Sequence, residues 1–297
     1  MYKYIQIKYS LWRFMLRKVT RFSNLEFQRK INGYKHRSIL DFLENKLDIP
    51  KNSYDFAKSE EKSNYIWTMW WQGEDNAPKL VKECINRMRT LNDKKTLVVI
   101  DKDNYREYCK LSGNIEQKLE NGVITLTHFS DIMRFNLLKR FGGVWIDSTV
   151  LLTQKIPNEV FNKRYYSIKN VPENFENVVD NRWAGNFVAG SKNFPLFAYF
   201  NDFFEEYWSK FDYLIDFFLI DYAFIIAYEK NIGGIKNVVD NLPYNNPDYN
   251  WLANHLEDSW TQEFQTRISN NKTFAYKLTR RKNINFDDKS NVFNNII

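Results

Sequence analysis

Two carboxylates and one guanidinium group lie close together in a short part of the sequence. Asp131, Arg134 and Asp147 fall within His128 to Val150, which reads HFSDIMRFNLLKRFGGVWIDSTV. With Ser130 as an N-cap, Asp131 falls in the first turn of a helix and Arg134 lies three residues on, on the same face. Such groups can hold hydroxyls, bind a divalent ion and stabilise a departing diphosphate. The segment therefore predicts a site for a phosphorylated, hydroxyl-rich ligand.

The elements around these residues position them at one edge of a sheet. A helix is expected from about residue 129 to 139, followed by the pair Gly142 and Gly143, which permits a tight turn. The short apolar run Val144 to Ile146 predicts a strand that ends at Asp147. Because ligands bind at the carboxyl ends of strands in open α/β sheets, we expect Asp147 to face a crevice. An Asp after a strand can instead cap a turn or the next helix.

The preceding residues predict an α/β fold with a parallel sheet. An apolar run from Tyr65 to Trp71, a helical pattern from Lys79 to Leu91 and a buried-strand pattern from Thr96 to Ile100 follow one another. Strand, helix and strand in this order indicate parallel pairing. We expect residues 1–62 to form an N-terminal extension and residues 63–297 to form the main domain, with a helical and loop segment at its C-terminal end.

Composition is that of a globular protein. The 297 residues are 43% hydrophobic and 27% charged, which favours a packed core over disorder. Cys84 and Cys109 do not make a disulfide framework, so a reducing, cytoplasmic setting fits. The most apolar stretch, 214–228, contains Asp216 and Asp221 and is too interrupted to span a bilayer. The N-terminus lacks the apolar core of a secretory signal.

The net charge of +7 comes from one segment. Residues 1–37 contain ten Lys or Arg and a single acid, Glu26. Apolar residues recur there at three- and four-residue spacing, which predicts a basic amphipathic helix: Leu11, Met15, Leu16, Val19 and Phe22. Such a helix can lie on an anionic membrane or dock on the domain. Because the charge is confined to this segment, a nucleic-acid partner is not expected.

Four ordered motifs resemble the capsular polysaccharide synthesis proteins, which are related to glycosyltransferase family 32 and its DxD sugar-binding region. The family pattern IWxxWxQG followed by Pro appears as Ile66 to Gly73, then Pro78; the SD-x-x-R helix, the GG turn and the strand ending in Asp follow in order. The resemblance covers about residues 66–260. It implies a GT-A-type nucleotide-sugar-binding fold with additional helices and a basic N-terminal helical extension. It also implies transfer of glucose or galactose from a UDP-hexose to a lipid-linked oligosaccharide, with retention.

The resemblance assigns roles to individual residues. Asp147, Asp131 and Arg134 would be catalytic, with Asp131 and Arg134 holding sugar hydroxyls and phosphate. The donor-binding residues would be Trp67, Trp70, Gln72, Gly143, Ser148, Thr149, Ser259 and Trp260. Alternation along a strand requires at least one of the tryptophans to be a core residue, so we expect one to stack on uracil rather than three.

A divalent ion, Mn²⁺ or Mg²⁺, is implied by the same resemblance, with one departure from the pattern. Asp147 would be the first DxD carboxylate, but Thr149 stands where the second carboxylate is expected. His255, from HLEDSW, is the candidate for the missing ligand, with Asp258 as an alternative. Because a hydroxyl is a poorer ligand than a carboxylate, either other groups share the ion or binding is metal-independent.

The acceptor side is expected around Trp183, Asn186 and Asp221. The resemblance places NRWAGNF, residues 181–187, at the floor of the sugar and acceptor site. Asp221 lies in an apolar helix, so it either faces the cleft or hydrogen-bonds a neighbouring helix. A lipid-linked acceptor and the basic segment 1–37 together suggest peripheral contact with the inner face of the plasma membrane. The alternatives are a non-catalytic sugar-nucleotide or glycan binder and a protein-modifying glucosyltransferase.

Overall fold

The computed structural model describes residues 25–49, 54, 63–171, 178–270, 272–282 and 284–297. The predicted amphipathic helix around residues 11–22 lies outside these ranges. In chain order the helices are α1 (Leu25–Lys46), α2 (Lys79–Leu91), α3 (Tyr105–Tyr108), α4 (Gly113–Glu120), α5 (Leu126–Phe141), α6 (Asn158–Asn162), α7 (Pro195–Lys210), α8 (Leu219–Glu229), α9 (Ile235–Asn241), α10 (Gln262–Asn270) and α11 (Val292–Ile296). The strands are β1 (Tyr65–Met69), β2 (Thr96–Ile100), β3 (Gly143–Ile146), β4 (Val150–Leu152), β5 (Tyr165–Ser167), β6 (Phe187–Gly190) and β7 (Ala275–Lys277).

Five strands form a mixed central sheet in the order β2-β1-β3-β6-β5. β1 pairs in parallel with both β2 and β3, whereas β6 pairs antiparallel with β3 and β5. The predicted α/β class and the parallel pairing of β1 with β2 are confirmed. Because the chain moves from β1 to β2 on one side and returns to β3 on the other, the carboxyl ends of β1 and β3 diverge at a topological switch point.

Side-chain alternation divides the core into two layers on either face of the sheet. Trp67, Trp145 and Val188 point into the larger, aromatic-rich layer beneath α5, α7 and α8. Ile66 and Val144, by contrast, point into the opposite layer. The sheet is therefore covered on both faces, and only its strand ends are open to a ligand.

Helix α5 is buried almost all round because α7 covers the side away from the sheet. Phe135 of α5 stacks on Phe200 of α7 with ring centroids 3.7 Å apart. The prediction that Ser130 caps this helix is wrong: the Thr125 side chain accepts a hydrogen bond from the His128 amide, and the Ser130 hydroxyl donates to the Thr127 carbonyl. The helix therefore begins at Leu126, three residues before the predicted start at residue 129, because the Thr125 side chain satisfies a backbone donor of the first turn.

The glycine pair at the start of β3 is required by backbone geometry rather than by a ligand. Gly143 has φ +97°, and a Cβ atom there would lie 2.4 Å from the Tyr65 carbonyl oxygen of the neighbouring strand. Gly143 begins β3, at the opposite end of the strand from Asp147. The donor contact implied for Gly143 is therefore not supported, since the residue is needed for close approach of the two strands.

A short antiparallel pair connects the C-terminal segment to the end of β3. β4 pairs with β7, with Val150 opposite Lys277, and the Leu278 amide donates to the Thr149 carbonyl at 2.8 Å. This pairing brings residues 275–280 beside Asp147 although they are about 130 positions away in sequence. Among the helices of the described ranges, none has both the length and the hydropathy needed to cross a bilayer.

Candidate functional site

A crevice of about 200 Å³ opens at the switch point between β1 and β3. The segment after β1 contributes Trp70, Trp71 and Gln72, and the segment after β3 contributes Asp147, Ser148 and Thr149; Arg280 also lines it. The strand ends therefore bring together two of the motifs that the sequence singled out. Ser148 and Thr149, predicted on the donor side, both lie in this lining.

Asp147 is held in a fixed orientation. Its Oδ1 accepts hydrogen bonds from the Trp145 indole at 2.8 Å and from the Arg134 guanidinium at 3.1 Å. Its backbone amide donates to the Asn186 carbonyl at 2.9 Å. The Asp147 side chain is 29% exposed, and the Lys277 ammonium lies 3.7 Å from its second oxygen, Oδ2. Asp147 thus combines a fixed charge with access to a ligand.

Arg134 and Asp131 lie behind Asp147 and position it. Arg134 is only 3% exposed, and its two terminal nitrogens pair with Asp131 Oδ1 at 3.0 Å and with Asp147 Oδ1. The guanidinium also lies over the Trp145 ring, 5.1 Å from its centroid. Neither Asp131 nor Arg134 lines the crevice. Because both side chains are buried behind Asp147, the structure places them as positioning residues.

The tryptophans of β1 divide as strand alternation requires. Trp67 is fully buried, and its indole donates to the Gly142 carbonyl at 2.9 Å. It has no free face for a uracil ring, so its assignment to the donor site is corrected. Trp70 and Trp71 both border the crevice; Arg280 lies over the Trp70 ring, 5.7 Å from its centroid. The buried Trp70 indole N–H has no partner among the described residues.

A second cavity, of about 400 Å³, adjoins this crevice and contains the predicted acceptor residues Trp183, Asn186 and Asp221. The two spaces share a wall, because Asn186 accepts the Asp147 amide. Tyr249 also lines the second cavity, and its hydroxyl donates to Asn186 Oδ1. The residues assigned to donor and acceptor sides are thus separated by little more than the backbone that carries Asp147.

Asp221 faces a cavity, and its hydrogen-bond partner lies in the loop before β6 rather than on a neighbouring helix. It lines the second cavity, and its Oδ1 accepts a hydrogen bond from the Trp183 indole at 2.9 Å. Burial raises the pKa of Asp221 from 3.8 to about 7, and the charge of Asp131 adds to the shift. The Trp183 hydrogen bond and Arg134 oppose it. Near neutral pH this carboxyl group can therefore hold or release a proton.

The raised pKa of Asp221 predicts a pH-dependent stability that Asp221→Asn should remove. Between pH 4 and 7 the folded state binds more protons than the unfolded state, so the free energy of unfolding falls as pH rises through this window. Relative to the variant, wild type should lose on the order of 2–4 kcal/mol between pH 4.5 and 8. Urea denaturation of both proteins across this range measures the difference; parallel stability curves would contradict the raised pKa.

Of the predicted metal ligands, Asp147 and Thr149 both line the crevice, whereas His255 does not. The Thr149 hydroxyl accepts a hydrogen bond from the Lys277 ammonium. His255 lies apart from the crevice and pairs with Asp258, the alternative ligand, at 2.6 Å. Across the described residues, no three His, Cys, Asp or Glu side chains are grouped to hold a metal ion. The crevice thus offers Mn²⁺ or Mg²⁺ a single carboxylate, Asp147, and the Lys277 ammonium lies 3.7 Å from its second oxygen. The donor set does not fit a divalent cation, because the lysine charge opposes one beside this oxygen and already uses the Thr149 hydroxyl.

The late Ser-Trp element also lies away from the crevice. Ser259 forms an isolated bridge with Asn291, and the Trp260 amide donates to the Ser290 carbonyl at 2.7 Å. Trp260 packs against the C-terminal hydrophobic cluster. In this conformation neither residue lines either cavity, so their predicted donor contacts are not formed by the described structure.

Four residues of the site were not singled out from the sequence: Trp71, Tyr249, Lys277 and Arg280. Trp71 lies two residues beyond the end of β1 and packs against Tyr105 and Phe129. Strand alternation places it on the same side as buried Trp67, so the pattern did not mark it as a site residue. Lys277 and Arg280 reach the site only through the pairing of β4 with β7. No local sequence pattern predicts that β4 pairs with β7, because β7 has only three residues and is distant from β4 in sequence.

Two comparisons show which known proteins the chain is similar to. A family model described as capsular polysaccharide synthesis protein matches residues 19–296. The O-glycosyltransferase PaGT of Phomopsis amygdali is 24% identical over 179 residues, which are 54% of this chain and 43% of that protein. The chain therefore spans less than half the length of this curated relative.

Proposed function

The chain belongs to the capsular polysaccharide synthesis protein family and is a glycosyltransferase in general terms, and from this premise we propose its donor, acceptor and stereochemistry. The donor is a UDP-hexose, glucose or galactose, and the acceptor is a hydroxyl of a lipid-linked oligosaccharide. The fold is of the GT-A type. The configuration at the anomeric carbon is retained.

The observation that carries the proposal is the placement of Asp147. This carboxylate lies at the carboxyl end of β3, at the switch point of the sheet, and borders a crevice with aromatic and polar walls. Ligands of open α/β sheets bind at such points. The Trp70 or Trp71 ring can stack on uracil, and the unpartnered Trp70 N–H offers a donor to a ligand oxygen.

The adjoining cavities support direct transfer from donor to acceptor. With the nucleotide in the crevice at Trp70 and Asp147, the hexose points toward the cavity at Trp183 and Asn186. In a retaining front-face reaction the departing phosphate takes the proton of the acceptor hydroxyl, so a separate general base is not required. The contribution of the protein is then positioning and stabilisation of the leaving charge.

A lipid-linked acceptor places the reaction at a membrane surface. The ten basic residues of segment 1–37 would attract anionic headgroups, and the apolar positions of the same segment would enter the interface. We therefore propose a cytoplasmic protein that contacts the inner face of the plasma membrane peripherally. Nucleic acid is not among the proposed partners.

The test is release of UDP from a panel of UDP-sugars, measured with manganese and with a chelator. Slow hydrolysis of the donor does not require the unknown acceptor, so one assay covers every donor. We expect UDP release from UDP-glucose or UDP-galactose above the rate of the other sugars. Absence of both turnover and UDP binding, under all conditions, would reject the proposal and favour a glycan-binding role.

A further inference from the structure

The side of Asp147 that faces away from Arg134 is occupied by a protein cation. Lys277 Nζ lies 3.7 Å from Asp147 Oδ2 and donates to the Thr149 hydroxyl. Thr149 is the position at which the DxD pattern requires its second carboxylate. The ammonium group therefore lies between the two side chains that would share a divalent ion.

Lys277 contacts residues that line each of the two cavities. Asp147 and Thr149 line the crevice, while the Lys277 amide donates to the carbonyl of Tyr249, which lines the adjoining cavity. The Lys277 side chain is 27% exposed. A diphosphate that connects a nucleotide in the first space to a hexose in the second would pass this ammonium group.

A divalent ion and the Lys277 ammonium exclude each other at this position. A Mg²⁺ ion binds carboxylate oxygen at about 2.0–2.1 Å, so an ion on Asp147 Oδ2 would lie within a few ångströms of Nζ. The two like charges would repel, and Thr149 offers a hydroxyl already engaged by the lysine. Asp147 Oδ1 is in turn committed to Arg134 and Trp145.

We infer that the Lys277 ammonium, held by Asp147 and Thr149, replaces the divalent ion and neutralises the diphosphate leaving group; the inference rests on the proposed function. The bond between the anomeric carbon and the diphosphate oxygen breaks, and its electron pair leaves with UDP. The acceptor oxygen forms the new bond to the anomeric carbon and gives its proton to the departing phosphate. Lys277 stays protonated throughout.

The exposed Arg280 adds a second cation at the other end of the crevice, over the Trp70 ring. Arg134 and Lys277 together balance the charges of Asp131 and Asp147, so Arg280 leaves these five side chains with one net positive charge. A nucleoside diphosphate carries the complementary negative charge. The chemistry of the site thus suits a diphosphate without a metal ion.

The experiment measures UDP release by the wild-type protein and by Lys277→Met, Lys277→Arg and the matched control Lys282→Met, each in the presence of a chelator. Lys282 is an exposed lysine that pairs with Asn254 Oδ1 at 2.8 Å, outside both cavities. Wild type should release UDP at the same rate with chelator as with manganese, within about twofold. Lys277→Met should lose about 10²- to 10³-fold in rate, as for loss of one charge-stabilising donor.

Binding gives a second readout that a purely structural role would not produce. Calorimetry in the presence of chelator measures the affinities for UDP and for uridine. Lys277→Met should weaken the binding of UDP at least about tenfold and leave the binding of uridine nearly unchanged, because only the diphosphate contacts the ammonium group. Lys277→Arg should recover much of the UDP affinity, and Lys282→Met should match wild type.

The outcomes separate this inference from the proposed function. Wild-type turnover that is abolished by chelator and restored by manganese would overturn the inference and leave the proposed function standing. Unchanged UDP affinity and turnover in Lys277→Met would also overturn the inference and leave the proposed function standing. Because the chelator comparison needs wild type alone, it decides the matter even if a variant fails to fold.

Discussion

Asp147→Asn is expected to reduce UDP release by about 10²- to 10³-fold without unfolding the chain. Asparagine keeps an oxygen that can accept from Arg134 and Trp145, so the local geometry survives. The amide nitrogen, however, would face the Lys277 ammonium, placing donor against donor. The loss of charge would release Lys277 from its position beside Thr149, and the leaving diphosphate would lose its fixed partner.

Asp101→Asn is the matched control for this prediction. Asp101 also follows a strand, β2, but its Oδ1 accepts the amides of Asp103 and Asn104 at 2.9 Å and closes a turn. Steady-state UDP release compares the turnover of the two variants, and thermal unfolding shows whether each of them is folded. Asp101→Asn should keep wild-type turnover; an Asp147→Asn protein with more than about a tenth of wild-type activity would show that Asp147 is not essential.

The contrast between Asp101 and Asp147 shows what the sequence could predict. Both residues end strands that local hydrophobic patterns locate correctly, and the succession β1, α2, β2 follows from those patterns. Which aspartate faces a ligand depends on the strand order, since the crevice opens only where β1 and β3 diverge. The apolar run before Asp147 predicted the strand itself, and the resemblance to a family then singled out its aspartate as a site residue.

Long-range pairing accounts for most of what the sequence could not predict. Lys277 reaches Asp147 because β7 pairs with β4, a contact between segments more than 120 residues apart. His255, by contrast, packs against Trp251 and Phe264 of the C-terminal cluster and does not line the crevice. Gly143 shows a different difficulty: a glycine needed for strand approach and a glycine that contacts a ligand have the same appearance in sequence.

Arg134→Met is expected to lower the free energy of unfolding by about 3–5 kcal/mol. The guanidinium is 3% exposed and pairs with Asp131 and Asp147. Its loss leaves buried Asp131 without its guanidinium partner and Asp147 with the Lys277 ammonium alone. Methionine fills most of the volume, which separates the loss of charge from the creation of a cavity. Urea denaturation at neutral pH measures the change.

Arg106→Met provides the control, because its partners Glu116 and Glu120 lie at the surface and the Arg106 side chain is 58% exposed. An exposed ion pair contributes about 1 kcal/mol or less, so this variant should unfold almost as wild type does. Adding Asp131→Asn to Arg134→Met should recover part of the lost stability, since it removes the buried carboxylate that has lost its guanidinium partner. If Arg134→Met were no less stable than Arg106→Met, the buried guanidinium would not be what holds Asp147 in place. The orientation of the site would then have to come from the Trp145 indole and the backbone bond to Asn186 alone.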